Sequence, residues 1–299
     1  MDRFHQMTVY VAVAEEESFS GGARRLGMSP PAVTRAICAL ETRLGIKLLA
    51  RTTRLVRMTD AGQRYLDHAR HIIAEADKAD EAAAGISASP RGQLTVTAPV
   101  IFGQKLVMPS VVEYLKRFPE MQICAVLLDR VVNLIEEGIE VGVRIGELPD
   151  STMNAIGVGH VRRIVCASPA YLKANGVPRS PSDLAQCTII SASPVTASFD
   201  WRFFSGKKAL KVKVKPRLVV TNNEAAIVAA TKGFGLTRLL SYQVAPYLDS
   251  GELRAVLLEF EPPRLPVHVL HLEGRLVSAK VRTFVDLLVE RLRAEKALR

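Results

Sequence analysis

Residues 18–62, SFSGGARRLGMSPPAVTRAICALETRLGIKLLARTTRLVRMTDAG, decide the fold of the first part of the chain. Ser18 is a candidate N-cap for a short helix that ends at Leu26-Gly27. Ser29 is the candidate N-cap of the next helix, and Pro30 occupies its first position, where a missing N–H costs nothing. The pattern therefore predicts two helices joined by a tight glycine turn.

The helix that follows Ser29 has two different faces. At about 100° per residue, one stripe must pack inward, and it contains Val33, Ala36, Ile37, Leu40 and Leu44. The opposite face carries Pro31, Thr34, Arg35, Cys38 and Thr42. Short side chains around one arginine suit a DNA major groove, which is wide enough for a helix. Taken alone, any amphipathic helix with an exposed arginine would fit this description.

The sequence after Gly45 separates these alternatives. Residues 46–62 alternate apolar and basic side chains, which predicts a small β-hairpin beside the helix. Such a hairpin can place arginines on phosphates or in the minor groove. We expect double-stranded DNA as the partner, contacted by Ser29, Pro30, Pro31, Thr34, Arg35, Arg51, Thr53 and Arg54.

The charge distribution also favours a polyanionic partner. The 299-residue chain has a formal net charge of +10 and an isoelectric point near 9.6. Residues 20–70 carry ten lysines and arginines against three acids, whereas residues 1–19 and 71–89 have an acidic excess. No apolar run is long enough to cross a bilayer, and acids interrupt the first twenty residues, so we expect a cytoplasmic protein.

The composition offers little support for other classes of protein. The cysteines lack metal-ligand spacing, so we expect reduced thiols and no metal, disulfide or cofactor; they are Cys38, Cys124, Cys166 and Cys187. A redox-sensing pair among the last three stays open as a minor alternative. Common hydrolase, nucleotide-binding and zinc-protease motifs are missing, and the sequence therefore does not predict an enzyme.

The stretch 18–62 resembles the LysR-type transcriptional regulators. The matching positions are Ser18-Phe19, Ala23, Leu26, Ser29, Ala32-Val33, Ile37, Leu40-Glu41, Leu44-Gly45, Leu48, Arg51, Arg54, Thr59 and Ala61-Gly62. Pro30 departs from the glutamine usual in the family, which puts the operator sequence in doubt. Gly21-Gly22 replaces an alanine-rich turn and is expected to weaken its helix by about 1 kcal/mol per glycine.

The resemblance implies a multi-domain protein. An all-α, winged helix-turn-helix N-terminal domain would span residues 1–59, a linker helix for dimerisation and a hinge would span 60–89, and an effector domain would span 90–299. That last domain would be two-lobed α/β, like a periplasmic binding protein. Lobe one would contain residues 90–163 and 266–299, and lobe two would contain residues 164–265.

Helical periodicity extends on both sides of the deciding stretch. Residues 2–17 predict a first helix with apolar positions at Phe4, Met7, Val11 and Ala14. Residues 60–87 predict a long helix whose seam consists of Tyr65, Ala69, Ile72, Ala76, Ala79 and Ala83. We expect this seam to pair two subunits, with a homotetramer as a further expectation. The alternative is a helix packed against its own domain.

Strand and helix signals alternate beyond Pro90, which predicts a mostly parallel sheet covered by helices. Ligands in such folds gather beyond the carboxyl ends of strands and at helix N-termini, which favour anions. We expect a small effector, with an anion favoured, at Pro99, Val100, Arg144, Ser191, Ser193 and Asn222. Arg144 would bind a carboxylate, unless it is a surface arginine paired with Glu147 or Asp150.

The predicted function is a transcription regulator whose operator binding or activation is modulated by this effector. RNA polymerase would be a further partner of an activator. The alternative is an effector-independent repressor of the same fold. A lysine-rich stretch predicts a solvated edge strand, with auxiliary DNA contact as the less favoured interpretation, and contains Lys207, Lys208, Lys211, Lys213, Lys215 and Arg217.

Overall fold

The computed structural model describes residues 2–51, 56–84, 89–130, 132–148, 153–192, 199–206, 208–272 and 278–299, without the side chains of residues 51, 74, 77–84 and 272. The chain divides into two compact units, Met1–Ala88 and Ser89–Arg299. Among the described residues, no helix combines the length and apolar character needed to cross a membrane.

The first unit begins with three helices, α1 (Arg3–Glu15), α2 (Phe19–Arg25) and α3 (Pro30–Leu44). The Ser18 hydroxyl accepts a hydrogen bond from the Gly21 N–H at 3.1 Å, so the predicted cap of α2 is confirmed. Ser29 is the N-cap residue of α3, with Pro30 at the first position as predicted, but its side chain makes no capping hydrogen bond. Helix α3 ends at Gly45, which adopts the left-handed conformation.

The predicted hairpin follows, and a long helix follows the hairpin. Strands β1 (Leu49–Arg51) and β2 (Val56–Met58) are antiparallel, with Leu49 opposite Met58. Helix α4 spans Asp60–Ala84. The residues between β1 and β2, which include the predicted DNA contacts Thr53 and Arg54, lie outside the described residues.

The core of this unit differs in part from the predicted stripes. In α3, Val33, Ala36, Ile37 and Leu40 are fully buried as predicted, but Leu44 is 37% exposed. In α1 the predicted Met7 and Val11 are half-buried and Phe4 is 36% exposed, whereas the buried positions are Gln6, Val9, Tyr10, Ala12, Val13 and Ala14. The prediction for α1 is wrong at Phe4 because residues 9–14, VYVAVA, are apolar on every side and leave the phase of the helix undetermined.

The second unit contains twelve strands and six helices among its described residues. In chain order they are β3 (Gly92–Ala98), α5 (Val100–Phe102), α6 (Met108–Arg117), β4 (Met121–Leu127), β5 (Val141–Ile145), β6 (Met153–Val161), β7 (Arg163–Ala167), α7 (Pro169–Asn175), β8 (Ile189–Ala192), β9 (Asp200–Ser205), β10 (Lys208–Lys213), β11 (Pro216–Val220), α8 (Asn223–Thr231), β12 (Leu236–Leu240), α9 (Ser241–Asp249), β13 (Arg254–Val256), β14 (Leu265–Leu272) and α10 (Ala279–Ala294). A π-helical turn, Gly103–Val107, joins α5 to α6.

These strands form two five-stranded sheets and one hairpin. The first sheet has the order β4-β3-β5-β14-β6 and belongs to lobe one, and the second has the order β11-β8-β12-β7-β13 and belongs to lobe two. Strands β9 and β10 pair separately. The chain passes from lobe one to lobe two between β6 and β7, and it returns before β14.

Both large sheets are mixed, so the prediction of mostly parallel sheets is wrong in this detail. Strand β14 is antiparallel to both β5 and β6, and β7 is antiparallel to both β12 and β13. These antiparallel neighbours arise where the chain passes between lobes or closes a sheet. The chain between β4 and β5 forms a turn at residues 134–138.

Candidate DNA interface and effector cleft

The start of α3 presents the predicted DNA-contacting side chains. Ser29, Pro30, Pro31 and Arg35 are exposed, and Thr34 is half-buried. Within the described part of the chain, Arg35 makes no ion pair. An uncommitted arginine beside short side chains is able to reach base edges in a major groove.

A buried carboxylate attaches the hairpin to this helix. Glu41 accepts hydrogen bonds from the N–H groups of Leu48 and Leu49 at 3.0 and 3.1 Å, and from the Lys47 ammonium at 2.6 Å. Burial opposes ionisation of Glu41, but these donors outweigh it and lower the pKa of the carboxyl. The end of α3 and the beginning of β1 are therefore held in one geometry.

The sequence analysis did not find this role of Glu41. The residue entered only as part of the family resemblance, next to Leu40. A usable signal was present in its spacing, because Glu41 lies four residues after Ile37 and three before Leu44, beside the inward stripe of α3, where a charge needs partners. In the structure Glu41 is 4% exposed.

The beginning of α4 closes against the same hairpin. The Tyr10 hydroxyl donates to the Gly62 carbonyl oxygen at 2.9 Å, and burial, with Glu41 nearby, raises the pKa of Tyr10 to about 12. A Cβ atom at Gly62 would lie 2.1 Å from the Leu48 carbonyl oxygen, so this position requires glycine. The hairpin of β1 and β2, which we call the wing, is therefore attached on two sides.

A close approach between α1 and α2 corrects the expectation for the glycine pair. A Cβ at Gly22 would lie 2.8 Å from Val13 Cγ2 and 3.0 Å from the Val13 Cα. Gly22 therefore allows the two helices to pack together, and its effect is not simply a weakening of α2.

The predicted seam of α4 is used partly inside the chain. Ala69 has no exposed surface, and the Tyr65 ring contacts the Tyr10 ring edge-to-face at 5.4 Å. These two positions are therefore taken up by packing within the chain. Ile72 is 44% exposed and Ala76 is half-buried, while the side chains of Ala79 and Ala83 lie outside the described residues.

The residues expected to bind the effector lie at the carboxyl ends of strands, and we call this region of the second unit the cleft. Val100 begins α5 after β3, and Asn222 caps α8 after β11, with its side chain accepting a hydrogen bond from the Ala225 N–H at 2.8 Å. Pro99 is half-buried, Ser191 is 5% exposed, and Ser193 lies outside the described residues. The Asn222 oxygen is thus occupied by a cap.

An acid that the sequence analysis did not identify joins the two lobes in this region. The Asp129 carboxylate accepts from the Val100 N–H at 3.0 Å and from the Asn223 side-chain amide at 3.1 Å. The N–H that was expected to bind an anionic effector is therefore already bound by the chain itself. The signal available in the sequence was the position of Asp129, two residues after the carboxyl end of β4.

Arg144 lies near this end of lobe one and makes a contact that neither expectation included. Its guanidinium donates to the Val132 carbonyl oxygen at 2.8 Å, and burial lowers its pKa. Glu147 is not its partner, and Asp150 lies outside the described residues. The nearby Glu137 forms a bidentate pair with Arg130.

Comparison with known proteins identifies the family. The LysR substrate binding domain matches residues 87–293, and the bacterial regulatory helix-turn-helix domain of the lysR family matches residues 4–63. The chain belongs to the LysR family of transcriptional regulators. The predicted winged helix-turn-helix and two-lobed effector-domain architecture is confirmed.

Relatives of this LysR-family regulator match over almost its whole length. An HTH-type transcriptional regulator of Xanthomonas campestris is 35% identical over 95% of this chain and 84% of its own. An HTH-type transcriptional repressor of Pseudomonas aeruginosa is 30% identical over 97% and 92%. The structure of CrgA, a LysR-type regulator of Neisseria meningitidis, has a TM-score of 0.62 and 29% identity over 96% and 98%.

Proposed function

We propose that this LysR-family regulator reads a two-fold DNA site with the start of α3 and the wing. The observation that carries this proposal is that Glu41 holds the wing beside α3 while Arg35, on the same helix, is exposed. Base readout then depends on α3, and phosphate contact depends on the wing, including Arg51, Thr53 and Arg54. The regulator would act in the cytoplasm, on the nucleoid.

Binding measurements on two duplexes test this division. Mapping of bound genomic sites supplies the operator. Arg35→Ala is expected to reduce discrimination between operator and random DNA by about 1–3 kcal/mol, because it removes a base contact. Arg54→Ala is expected to weaken binding to both duplexes alike. The control is Arg254→Ala, an exposed arginine of lobe two. Equal losses on both duplexes for Arg35→Ala would contradict the proposal.

We propose a homodimer formed through the part of α4 beyond Ala69, with dimers pairing into a tetramer. The exposed Ile72 supports this, because it lies on the predicted seam and is not used within the chain. Ile72→Glu is expected to shift the sedimentation coefficient toward a smaller species. His71→Glu, at an exposed neighbouring position, is the matched control and should sediment like the unaltered protein.

The proposed effector site is the region where Asp129 bridges the lobes. A small molecule bound there would replace the contact between Asp129 and Asn223 and so change how the lobes are held. Panels of small acids and small amines are expected to reveal the effector by raising Tm at concentrations well above Kd. Arg144→Ala should abolish stabilisation by acids if Arg144 is the anion anchor, and Asp129→Asn should abolish stabilisation by amines.

An effector-independent repressor is the second candidate, and one observation favours it: Asp129 already joins the lobes without a ligand. In that case Asp129→Asn would change operator affinity directly, and none of the small acids or small amines would change that affinity. If the regulator instead activates transcription, RNA polymerase is a further partner, which a pull-down on operator DNA would detect.

A further inference from the structure

Three arginines stand together on lobe two, away from the cleft. Arg163 begins β7 opposite Leu240, and Arg238 in β12 lies opposite Val165. Directly opposed residues share a face of a sheet, as do residues two apart on a strand, so Arg163 and Arg238 share one face. Arg238 also approaches the carbonyl oxygen of Arg202 in β9, at 3.4 Å. We call Arg163, Arg202 and Arg238 the arginine cluster.

The members of the cluster differ in exposure: Arg238 is half-buried, whereas Arg163 and Arg202 are exposed. The Arg238 guanidinium carbon lies 4.8 Å from the centre of the Trp201 ring, and Trp201 is 5% exposed. Burial, with Arg163 nearby, lowers the pKa of Arg238 to about 9. Burial and the neighbouring Arg202 lower the pKa of Arg163. Arg163 and Arg238 therefore each stand in an environment that disfavours the charged form.

No described carboxylate lies within ion-pair distance of these three arginines. Lys211, another basic residue of lobe two, does have an acidic partner: it pairs with Asp200 at 2.8 Å. A buried cation without a counter-ion carries a desolvation cost that an anion would relieve. Perturbed pKa values of this origin often occur at functional sites.

A pocket of about 480 Å³ adjoins the cluster, and its walls include Arg162, Phe204, Glu261 and Arg264. None of the three cluster arginines lines the pocket, but Phe204 lies two residues beyond Arg202 and therefore on the same side of β9, which places Arg202 beside this wall. Glu261 pairs with Arg162 at 3.4 Å, and burial raises its pKa. The volume is within the range of small-molecule sites, and the excess of charge at the pocket is positive.

We propose that the arginine cluster and the adjoining pocket form a second ligand site, which takes a small organic molecule carrying at least two negative charges. Guanidinium groups can hold such an anion in bidentate pairs, and Phe204 offers an apolar surface to its body. The site is distinct from the cleft, because Trp201 and Val165 belong to a separate core cluster that contains none of the cleft residues.

DNA is the less suitable occupant. A DNA backbone needs cations that project from the surface, as Lys208 and Lys213 do in β10, whereas Arg238 is half-buried against the Trp201 ring. A small dianion can enter where a duplex cannot.

Trp201 makes the proposal directly testable, because it is the only tryptophan in the chain. The full-length protein is titrated with pyrophosphate and with citrate at ionic strength kept constant with sodium chloride, and tryptophan emission is followed. We expect a saturable change with at least one of these anions, and the one that saturates shows whether phosphate or carboxylate groups are preferred. Arg202→Gln and Arg163→Gln should each raise Kd at least tenfold.

Arg217→Gln is the matched control, since the Arg217 guanidinium lies 5.6 Å from the Phe234 ring, outside the cluster. Its Kd should equal that of the unaltered protein. Arg202 is exposed, so its replacement keeps the test valid if Arg163→Gln fails to fold. Emission that does not saturate with either anion would overturn the proposal. So would unchanged affinity in Arg202→Gln, or emission that responds only to an operator duplex.

Discussion

The two units of this regulator treat buried charge in opposite ways. In the DNA-reading unit, the Glu41 carboxylate is buried but accepts three hydrogen bonds from neighbouring donors. In lobe two of the sensing unit, Arg238 is half-buried beside Arg163, and neither has a described carboxylate within ion-pair distance. A charge that the chain itself satisfies fixes a geometry, whereas a charge that it leaves uncompensated favours an anion from outside.

The largest effect is expected for Glu41→Ala. Removing the carboxylate leaves two N–H groups in a buried site without an acceptor, which should destabilise the DNA-reading unit by about 3 kcal/mol. Hydrogen exchange of α3 amides in the full chain measures this as an increase of about two powers of ten. Glu290→Ala, an exposed acid on α10, is the control. Unchanged protection of α3 would show that Glu41 does not hold the wing.

The pKa of Glu41 gives a pH-dependent form of the same comparison. Because its folded pKa lies below the ordinary value of 4.5, the stabilisation is present above pH 4.5 and is lost as the pH falls through the folded pKa. Protection of α3 amides should therefore decline below pH 4.5, after correction for the intrinsic exchange rate. Glu41→Gln should remove this part of the decline; an identical acid profile in both proteins would assign it to other carboxyls.

A smaller effect is expected for Gly22→Ala. The added methyl group would meet the Val13 backbone, which is unable to retreat as a side-chain end would, and the cost of overpacking is about 1–3 kcal/mol. Helix propensity alone predicts the opposite sign, a gain of about 1 kcal/mol. Thermal unfolding monitored by circular dichroism decides between overpacking, which lowers Tm, and helix propensity, which raises it. Gly157→Ala, where a new Cβ meets nothing within 4 Å, is the matched control.

The smallest effect is expected for Arg238→Met in lobe two. Methionine keeps apolar contact with Trp201 and removes an uncompensated cation, so the lost cation–π attraction is offset by the relieved desolvation cost. The free energy of unfolding, measured in urea by Trp201 emission, should stay within about 1 kcal/mol of the unaltered protein. A loss as large as that of Glu41→Ala would mean that Arg238 is satisfied within the chain, and the contrast between the two units would disappear.

Local signals predicted the frame of the molecule well. Ser18, Ser29 and Pro30 placed two helix starts, and the alternating basic stretch placed the wing. Helix α8 likewise begins directly after Asn222, whose side chain caps it. These features depend on residues close together in the sequence, where capping and periodicity operate.

Features that depend on distant residues were not predicted. Asp129 meets Asn223 across 94 positions, and no local pattern indicates such a pairing. Antiparallel insertion of β14 between β5 and β6 likewise brings together strands from opposite ends of the second unit. Strand β6 contains Gly157 and Gly159, which weaken the sequence signal for a strand that its neighbour nevertheless stabilises.

The attachment of the wing by Glu41 has a consequence for changing the regulator's target. Glu41 and Gly62 contact the residues at the start of the hairpin, whereas Pro31, Arg35 and Cys38 are exposed on α3. In the proposed interface, foldability and DNA preference therefore belong to separate sets of positions. We expect that exchanging the exposed set redirects the protein to another promoter while the scaffold stays intact.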